Sequence, residues 1–151
     1  MKKFRKTPLR YPGGKSRVAK DFIPRFPQCK EYREPFVGGG SVALLFSQRY
    51  PDIPVWVNDK YDYLYNFWVQ LQKRGDELSD ILVKTKEDHS TEDKAKELFK
   101  EAKDKIKKED DDFERARLFW VLNKCSYSGL TENSSFSACL LYTSPSPRDR
   151  G

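Results

Sequence analysis

The sequence predicts an α/β fold with parallel strands, because strand patterns alternate with helix patterns in the first half and a glycine loop follows the first strand. The stretch EYREPFV reads as a strand that ends at Gly38–Gly40, and SVALLFSQRY reads as the helix after that loop. The strand PVWVND and the helix YDYLYNFWVQLQKR repeat the order. A strand, a glycine loop and a helix in succession are the opening of a Rossmann-like nucleotide site.

The ends of these helices follow from local residue types. The pattern GGKSRVAKDFIPRF before the first strand predicts a short helix that stops near Pro24 or Pro27. We expect Ser41 to cap the helix after the glycine loop and Gly75 to end the helix that follows the second strand. That last helix is expected to bury one apolar stripe, made of Tyr61, Leu64, Tyr65, Trp68 and Leu71.

Residues 76–125 show no strand pattern and predict three helices. The apolar stripe of the middle helix consists of Ala95, Leu98, Phe99, Ala102 and Ile106. Its lysine- and glutamate-rich remainder is typical of a solvated face. The acidic cluster Glu109–Asp112 fits the N-terminus of the third helix, with metal binding by this run as the alternative. The stretch Ser126–Ser137 reads as a polar loop.

Composition narrows the class of protein. The 151 residues are 37% apolar and 34% charged, which fits a soluble globular protein. The sequence contains no run of about 18 apolar residues, so it predicts no membrane span. Cys29, Cys125 and Cys139 lie far apart and His89 is the one histidine, so we expect neither a zinc site nor disulfides. This composition favours a cytoplasmic protein without a metal.

Positive charge is concentrated at the N-terminus. The net charge is +6, yet residues 1–30 contain ten lysines or arginines and a single acid, Asp21. The remainder of the chain is therefore slightly acidic. Such a segment indicates either contact with a polyanion or an anionic ligand, or a merely solubilising surface.

Of the two glycine motifs in the sequence, only the second matches a known nucleotide-binding pattern. The stretch YPGGKS is not a phosphate-binding P-loop, because the position of the required earlier glycine holds Leu9. Gly38, Gly40 and Ala43 instead match the dinucleotide pattern GxGxxA, and Asp59 follows about 20 residues later, where an acid binds ribose hydroxyls. This pattern fits a nicotinamide cofactor, S-adenosylmethionine, or a tight turn without a ligand.

Taken together, these motifs resemble a known family of enzymes. The stretches PLRYPGGKS, REPFVGGGSVALLF, VWVNDKYDYLYNFW and ARLFWVLNKCSYSGL are similar, in order and spacing, to the Dam-type (D12 class) adenine-N6 DNA methyltransferases. The resemblance covers roughly residues 7–138. It implies a Rossmann-like S-adenosylmethionine-dependent methyltransferase fold, here with a partial sheet, over residues 1–75. A helical target-recognition insertion that contacts double-stranded DNA is implied for residues 76–138.

The resemblance also assigns residues to a cofactor site. Lys15 is expected to pair with the carboxylate of S-adenosylmethionine, and Tyr11 to pack on the cofactor. Gly38, Gly39 and Gly40 are expected to admit its methionine end against bare backbone. Asp59 is expected to accept hydrogen bonds from the ribose. For three aromatic residues, packing is favoured over contact with the cofactor: Phe36 is expected to pack under the loop, and Tyr61 and Tyr63 to pack in the core, with lining of the adenine pocket as their alternative.

DNA is expected to contact the basic N-terminal segment and the helical region 76–138, where Lys and Arg neutralise phosphates. Ser126–Ser137 fits either a DNA-approaching loop or an ordinary surface loop. Methylation of a base in a duplex requires that the base be flipped into a pocket.

No catalytic residue is assigned, because the family's Asp-Pro-Pro-Tyr motif does not occur in the sequence. The terminal stretch CLLYTSPSPRDRG resembles translated sequencing adapter, so residues 139–151 are expected to be an artefact without function. We therefore expect a chain interrupted near Ala138 that does not methylate DNA by itself. The alternatives are a non-catalytic DNA-binding module on the same fold and a nicotinamide-dependent oxidoreductase.

Overall fold

A computed structural model describes residues 3–11, 13–126 and 135–137. The expected adapter-derived stretch 139–151 and most of the predicted loop Ser126–Ser137 lie outside the described residues. At the edges of that loop, Ser126 and Phe136 form an isolated antiparallel bridge.

The strands and helices alternate as predicted in the first half of the chain. The described elements are α1 (Ala19–Phe22) with a 3-10 turn at Ile23–Arg25, β1 (Tyr32–Glu34), α2 (Ser41–Arg49), β2 (Val55–Val57), α3 (Asp62–Lys73), α4 (Gly75–Asp88), α5 (Glu92–Lys105) and α6 (Asp112–Cys125). The strands β1 and β2 are parallel, with Tyr32 opposite Val55 and Glu34 opposite Val57. The predicted α/β class with parallel strands is confirmed for this pair.

Hydrogen bonds extend the pairing of the two strands toward the glycine loop. The Asn58 amide donates to the Glu34 carbonyl at 3.0 Å, and the Val37 amide donates to the Asn58 carbonyl at 2.9 Å. The end of β1 is therefore fixed to the end of β2 immediately before Gly38.

A small core packs α1 and α2 against the sheet. Its buried members are Ala19, Ile23, Val42 and Phe46. Tyr32 stacks on Phe46 with ring centroids 4.5 Å apart, and Phe26 stacks on Tyr32 at 5.8 Å. These aromatic contacts hold β1 and α2 together and so fix both ends of the intervening loop.

A larger core surrounds α6, which packs against α3, α4 and α5. Every residue from Leu118 to Cys125 is buried, as expected of a helix enclosed on most sides. The predicted stripe of α5 is confirmed, because all five of its members are buried. Tyr61 and Tyr63 also pack against this core, which confirms their predicted packing role.

Four helix-level predictions have different outcomes. Tyr65 does not belong to the buried stripe of α3, since it is 46% exposed, whereas Phe67 is fully buried.

Ser41 is not a cap: Gly40 occupies that position, and Ser41 is the first residue of α2. Gly75 follows the last turn of α3 but is itself the first residue of α4. The acidic cluster does lie at the start of α6, where the Asp111 carboxylate accepts from the Glu114 amide at 3.3 Å.

Within the described ranges, none of the helices combines the length and apolar character that a bilayer crossing requires. The same ranges contain no group of three or more histidine, cysteine, aspartate or glutamate residues placed to hold a metal ion.

The burial of α3 is tested by a pair of aromatic truncations on the same helix. Phe67→Ala removes a fully buried ring and is expected to lower the free energy of unfolding by about 3 kcal/mol or more. Tyr65→Ala removes a ring that is 46% exposed and is expected to cost less than about 1 kcal/mol. Urea unfolding followed by circular dichroism measures both, and equal losses would contradict the observed orientation of α3.

Candidate cofactor-binding site

The glycine loop connects the end of β1 to the first turn of α2. Gly38 has φ of 52° and Gly40 has φ of 75°, a left-handed backbone that residues with a Cβ adopt only at a cost. The Gly40 amide donates to the Val37 carbonyl at 2.9 Å. The loop is therefore a tight turn that leads directly into α2.

The carboxylate of Asp59 lies against this loop. The Gly38 amide donates to Asp59 Oδ2 at 3.0 Å, and the Tyr61 amide donates to Asp59 Oδ1 at 3.0 Å. The predicted neighbours, the glycine loop and the acid after β2, are thus brought into direct contact. An ionised carboxylate has about four acceptor sites, so two remain for other donors.

Tyr11 covers one side of the loop. A Cβ at Gly38 would lie 3.2 Å from the Tyr11 ring, and a Cβ at Gly39 would lie 2.9 Å from Tyr11 Cβ. Burial raises the pKa of the Tyr11 hydroxyl, and the negative charge of Asp59 raises it further. The phenol therefore stays protonated at neutral pH and can donate a hydrogen bond.

Trp68 covers the other side of the loop, a role that sequence reasoning missed. A Cβ at Gly40 would lie 2.6 Å from the Trp68 ring, and Trp68 Nε1 donates to the Gly38 carbonyl at 3.1 Å. The helical spacing of α3 marked Trp68 as an apolar stripe residue but gave no sign of this polar contact. The missing side chains of the three glycines are thus required by the packing of Tyr11 and Trp68.

A cavity of about 220 Å³ opens on the Tyr11 side of the loop. It is lined by Tyr11, Gly13, Gly14, Lys15, Glu34 and residues 36–42. The Lys15 ammonium is exposed and donates to the Gly13 carbonyl at 2.7 Å. Asp59 is not among the lining residues, but its carboxylate lies beside the cavity, bound to the Gly38 amide and close enough to Tyr11 for its charge to act on the hydroxyl.

Phe36 does not pack under the loop as sequence analysis favoured. Its side chain is 76% exposed, and it lies at the edge of the cavity. The physical reason is that Tyr11 and Trp68 already fill the spaces against the loop. Phe36 therefore remains a candidate for contact with a ligand.

Glu34 is a second residue that sequence reasoning missed. Glu34 is one of the lining residues of the cavity, and its carboxylate accepts from the Tyr32 hydroxyl at 3.2 Å. Burial raises the pKa of Glu34, whereas the Tyr32 hydroxyl and the Ala43 amide lower it. Ala43 is in the first turn of α2, so the Glu34 carboxylate lies near the N-terminus of that helix, where a negative charge is favourable. Glu34 stands in the stretch REPFVGGG, four residues before the glycines, and this position was the sequence feature that could have indicated a role at the site.

A second cavity, of about 530 Å³, lies between α2, β2 and α3. Val37, Gly40 and Trp68 contribute to its wall, and no lysine, arginine, aspartate or glutamate is among its lining residues. It is larger than the cavity at Lys15 and Glu34 but lacks the charges that would orient a polar ligand. The glycine-loop cavity is therefore the better candidate site.

Alanine substitutions at two glycines test the packing of the loop. Gly40→Ala places a Cβ 2.6 Å from the Trp68 ring at φ of 75°, so we expect a loss of about 2 kcal/mol or more in the free energy of unfolding. Gly75→Ala is the control, because no heavy atom lies within 4 Å of its Cβ position, and it is expected to be neutral or slightly stabilising. Urea unfolding that shows Gly40→Ala to be as stable as Gly75→Ala would contradict the close contact with Trp68.

Comparison with known proteins connects this site to a family. Residues 11–138 match the family described as D12 class N6 adenine-specific DNA methyltransferase. The chain is 29% identical over 133 residues to the type II methyltransferase M.MjaIII of Methanocaldococcus jannaschii, covering 81% of this chain and 46% of that protein. It is 34% identical over 123 residues to the DNA adenine methylase of Escherichia coli K12, covering 81% of this chain and 41% of that protein.

A third relative is the DNA N-6-adenine-methyltransferase of Escherichia phage P1, 30% identical over 129 residues, with 85% of this chain and 16% of that protein covered. The chain therefore spans less than half the length of these relatives. The family match includes the glycine loop, Asp59, Lys15 and Tyr11, and it confirms the resemblance inferred from the motifs. The chain belongs to the D12 class N6 adenine-specific DNA methyltransferase family.

Proposed function

We propose that this chain forms the S-adenosylmethionine-binding part of an enzyme that methylates N6 of adenine in double-stranded DNA. The observation that carries the proposal is the 3.0 Å contact between the Gly38 amide and Asp59 Oδ2. This contact places a carboxylate with spare acceptor sites beside the loop of a nucleotide-type motif. A Rossmann-like sheet in the complete enzyme is part of the same proposal.

The charges in the cavity suit the amino-acid end of the cofactor. Lys15 and Glu34 line the same space, so the ammonium of Lys15 binds the cofactor carboxylate and the carboxylate of Glu34 binds its ammonium. Both contacts are charge-assisted hydrogen bonds. Opposite charges on the two side chains also select a zwitterion over a phosphate, which Glu34 would repel.

The remaining residues bind the nucleoside and cover the site. Asp59 accepts from ribose hydroxyls with the lone pairs that Gly38 and Tyr61 leave free, while Tyr11 and Phe36 contribute apolar surface and exclude water. The bound cofactor supplies an electrophilic methyl group for the adenine amine. The chain's own residues hold and orient that group, and no residue of this chain is proposed to act on the amine.

DNA binding is proposed for the basic segment and for the helical region 76–138. The lysines and arginines of residues 3–30 are exposed except for the half-buried Arg10, so they are free to approach phosphates. Such contacts supply affinity without sequence information. A protein that acts on genomic DNA in this way would work in the cytoplasm.

One observation favours a second candidate function. The sequence contains no Asp-Pro-Pro-Tyr motif, so this chain by itself fits a non-catalytic module that binds DNA. Under this reading, DNA binding remains while methyl transfer by the isolated chain is absent.

Cofactor choice is tested by equilibrium dialysis of the chain against S-adenosylmethionine and, separately, a nicotinamide dinucleotide. We expect retention of S-adenosylmethionine alone. Lys15→Ala is expected to weaken that binding about tenfold, the equivalent of one charge-assisted hydrogen bond. Lys73→Ala, which removes the same charge from the exposed end of α3, should leave the affinity unchanged. Retention of the dinucleotide without S-adenosylmethionine would overturn the proposal.

Contact between DNA and the basic segment is tested by the salt dependence of binding to a fluorescent duplex. Each phosphate contact that is removed lowers the slope of log K against log salt by about one. The double variant Lys3→Gln/Lys6→Gln is therefore expected to bind more weakly and with a slope smaller by about two. Arg49→Gln/Lys73→Gln, outside the proposed segments, is the charge-matched control. An identical loss in both double variants would show that net charge alone drives the binding.

A further inference from the structure

We propose that Asn123 of α6 is a positioning residue for the cofactor cavity, because it fixes the backbone that carries Tyr11. The inference rests on the proposed function of that cavity. Asn123 Oδ1 accepts from the Arg10 amide at 2.9 Å, and Asn123 Nδ2 donates to the Arg10 carbonyl at 2.6 Å. One side-chain amide thus binds both backbone groups of one residue, as a neighbouring β-strand would.

The position of Asn123 makes this contact specific. The residue is fully buried on α6, directly after the apolar run Leu118–Leu122, where a polar side chain is tolerated only when it is hydrogen-bonded. Both of its polar atoms bind Arg10. A shift of the N-terminal segment along α6 would break both bonds and leave a buried amide without partners, so the register of the segment is set at Arg10.

Fixing Arg10 fixes the next residue, Tyr11, against the glycine loop. The Gly14 amide donates to the Tyr11 carbonyl at 3.0 Å, so Tyr11 is held on both of its sides along the chain. The Thr7 hydroxyl also donates to the Gly39 carbonyl. Asn123 therefore acts on the cavity through the backbone, without being one of its lining residues.

A second amide side chain supplies a matched comparison. Gln48 of α2 binds Arg5 in the same way, accepting from its amide at 2.7 Å and donating to its carbonyl at 3.0 Å. Arg5 is farther from Tyr11, however, and the Thr7 contact with the loop lies between them. We therefore expect the Gln48 pair to order the start of the segment without affecting the cavity.

The test measures the dissociation constant of S-adenosylhomocysteine by calorimetry on the full chain under conditions where every variant is folded. Asn123→Leu keeps the volume and removes both hydrogen bonds. It is expected to weaken binding roughly five- to tenfold, the effect of about one net hydrogen bond. Val121→Ala, on the same buried helix, and Gln48→Ala are the controls. Both are expected to bind within twofold of the original chain.

The controls separate positioning from stability. The affinity of an already folded protein does not depend on its free energy of unfolding, so Val121→Ala lowers stability without changing the dissociation constant. If Asn123→Leu fails to fold, Arg10→Pro decides the question by comparison with Arg10→Ala. Both variants lose the guanidinium that donates to the Ser126 carbonyl at 3.4 Å, but only Arg10→Pro loses the amide that donates to Asn123 Oδ1. Arg10→Pro is expected to weaken binding several-fold relative to Arg10→Ala, because it removes one of the two hydrogen bonds to Asn123.

Amide hydrogen exchange of Arg10, whose amide donates to Asn123 Oδ1, gives an independent readout. We expect faster exchange in Asn123→Leu and unchanged exchange in Gln48→Ala. A folded Asn123→Leu variant that binds within twofold of the original chain, or an Arg10→Pro variant that binds within twofold of Arg10→Ala, would overturn the inference. If the original chain itself does not bind the ligand, the proposed function fails instead, and the exchange of the Arg10 amide in Asn123→Leu still decides whether Asn123 holds the segment.

Discussion

The hydrogen bond from the Gly38 amide to the Asp59 carboxylate joins the ends of the two parallel strands at a distance of 3.0 Å. The glycine turn and the wall of the cavity depend on this bond. The same carboxylate also fixes the start of α3, because Asp59 accepts from the Tyr61 amide just before that helix. The chain thereby uses one carboxylate to organise its own backbone and to leave acceptor sites for a ligand. This arrangement is the physical basis of the proposed cofactor site.

The aromatic residues on either side of the loop complete that arrangement. Tyr11 comes from the N-terminal segment and Trp68 from α3, and each contacts a face of the loop where a Cβ would clash. The glycines are thus explained by contacts within the protein, independently of any ligand. A cofactor would meet a surface made by Tyr11, Lys15 and Glu34 as well as by backbone.

Local patterns in the sequence were sufficient for the order of the elements, the parallel strands, the α5 stripe and the pairing of the glycine loop with Asp59. They were insufficient where the answer depends on contacts between distant residues. Spacing along α3 predicted Tyr65 on the buried face, but packing against α6 buries Phe67 and leaves Tyr65 exposed. The Asn123 contact with Arg10 spans 113 residues, and the Trp68 contact with Gly38 spans 30, so no local pattern could predict either.

The most direct test of the cofactor site is a titration of isotope-labelled chain with S-adenosylhomocysteine, followed by backbone amide chemical shifts in NMR spectra. The account predicts that the largest changes occur at Gly14, Lys15 and Gly38–Gly40, with smaller changes at Asp59 and none along the exposed face of α5. Changes confined to the apolar cavity between α2, β2 and α3, or no changes at saturating ligand, would contradict it.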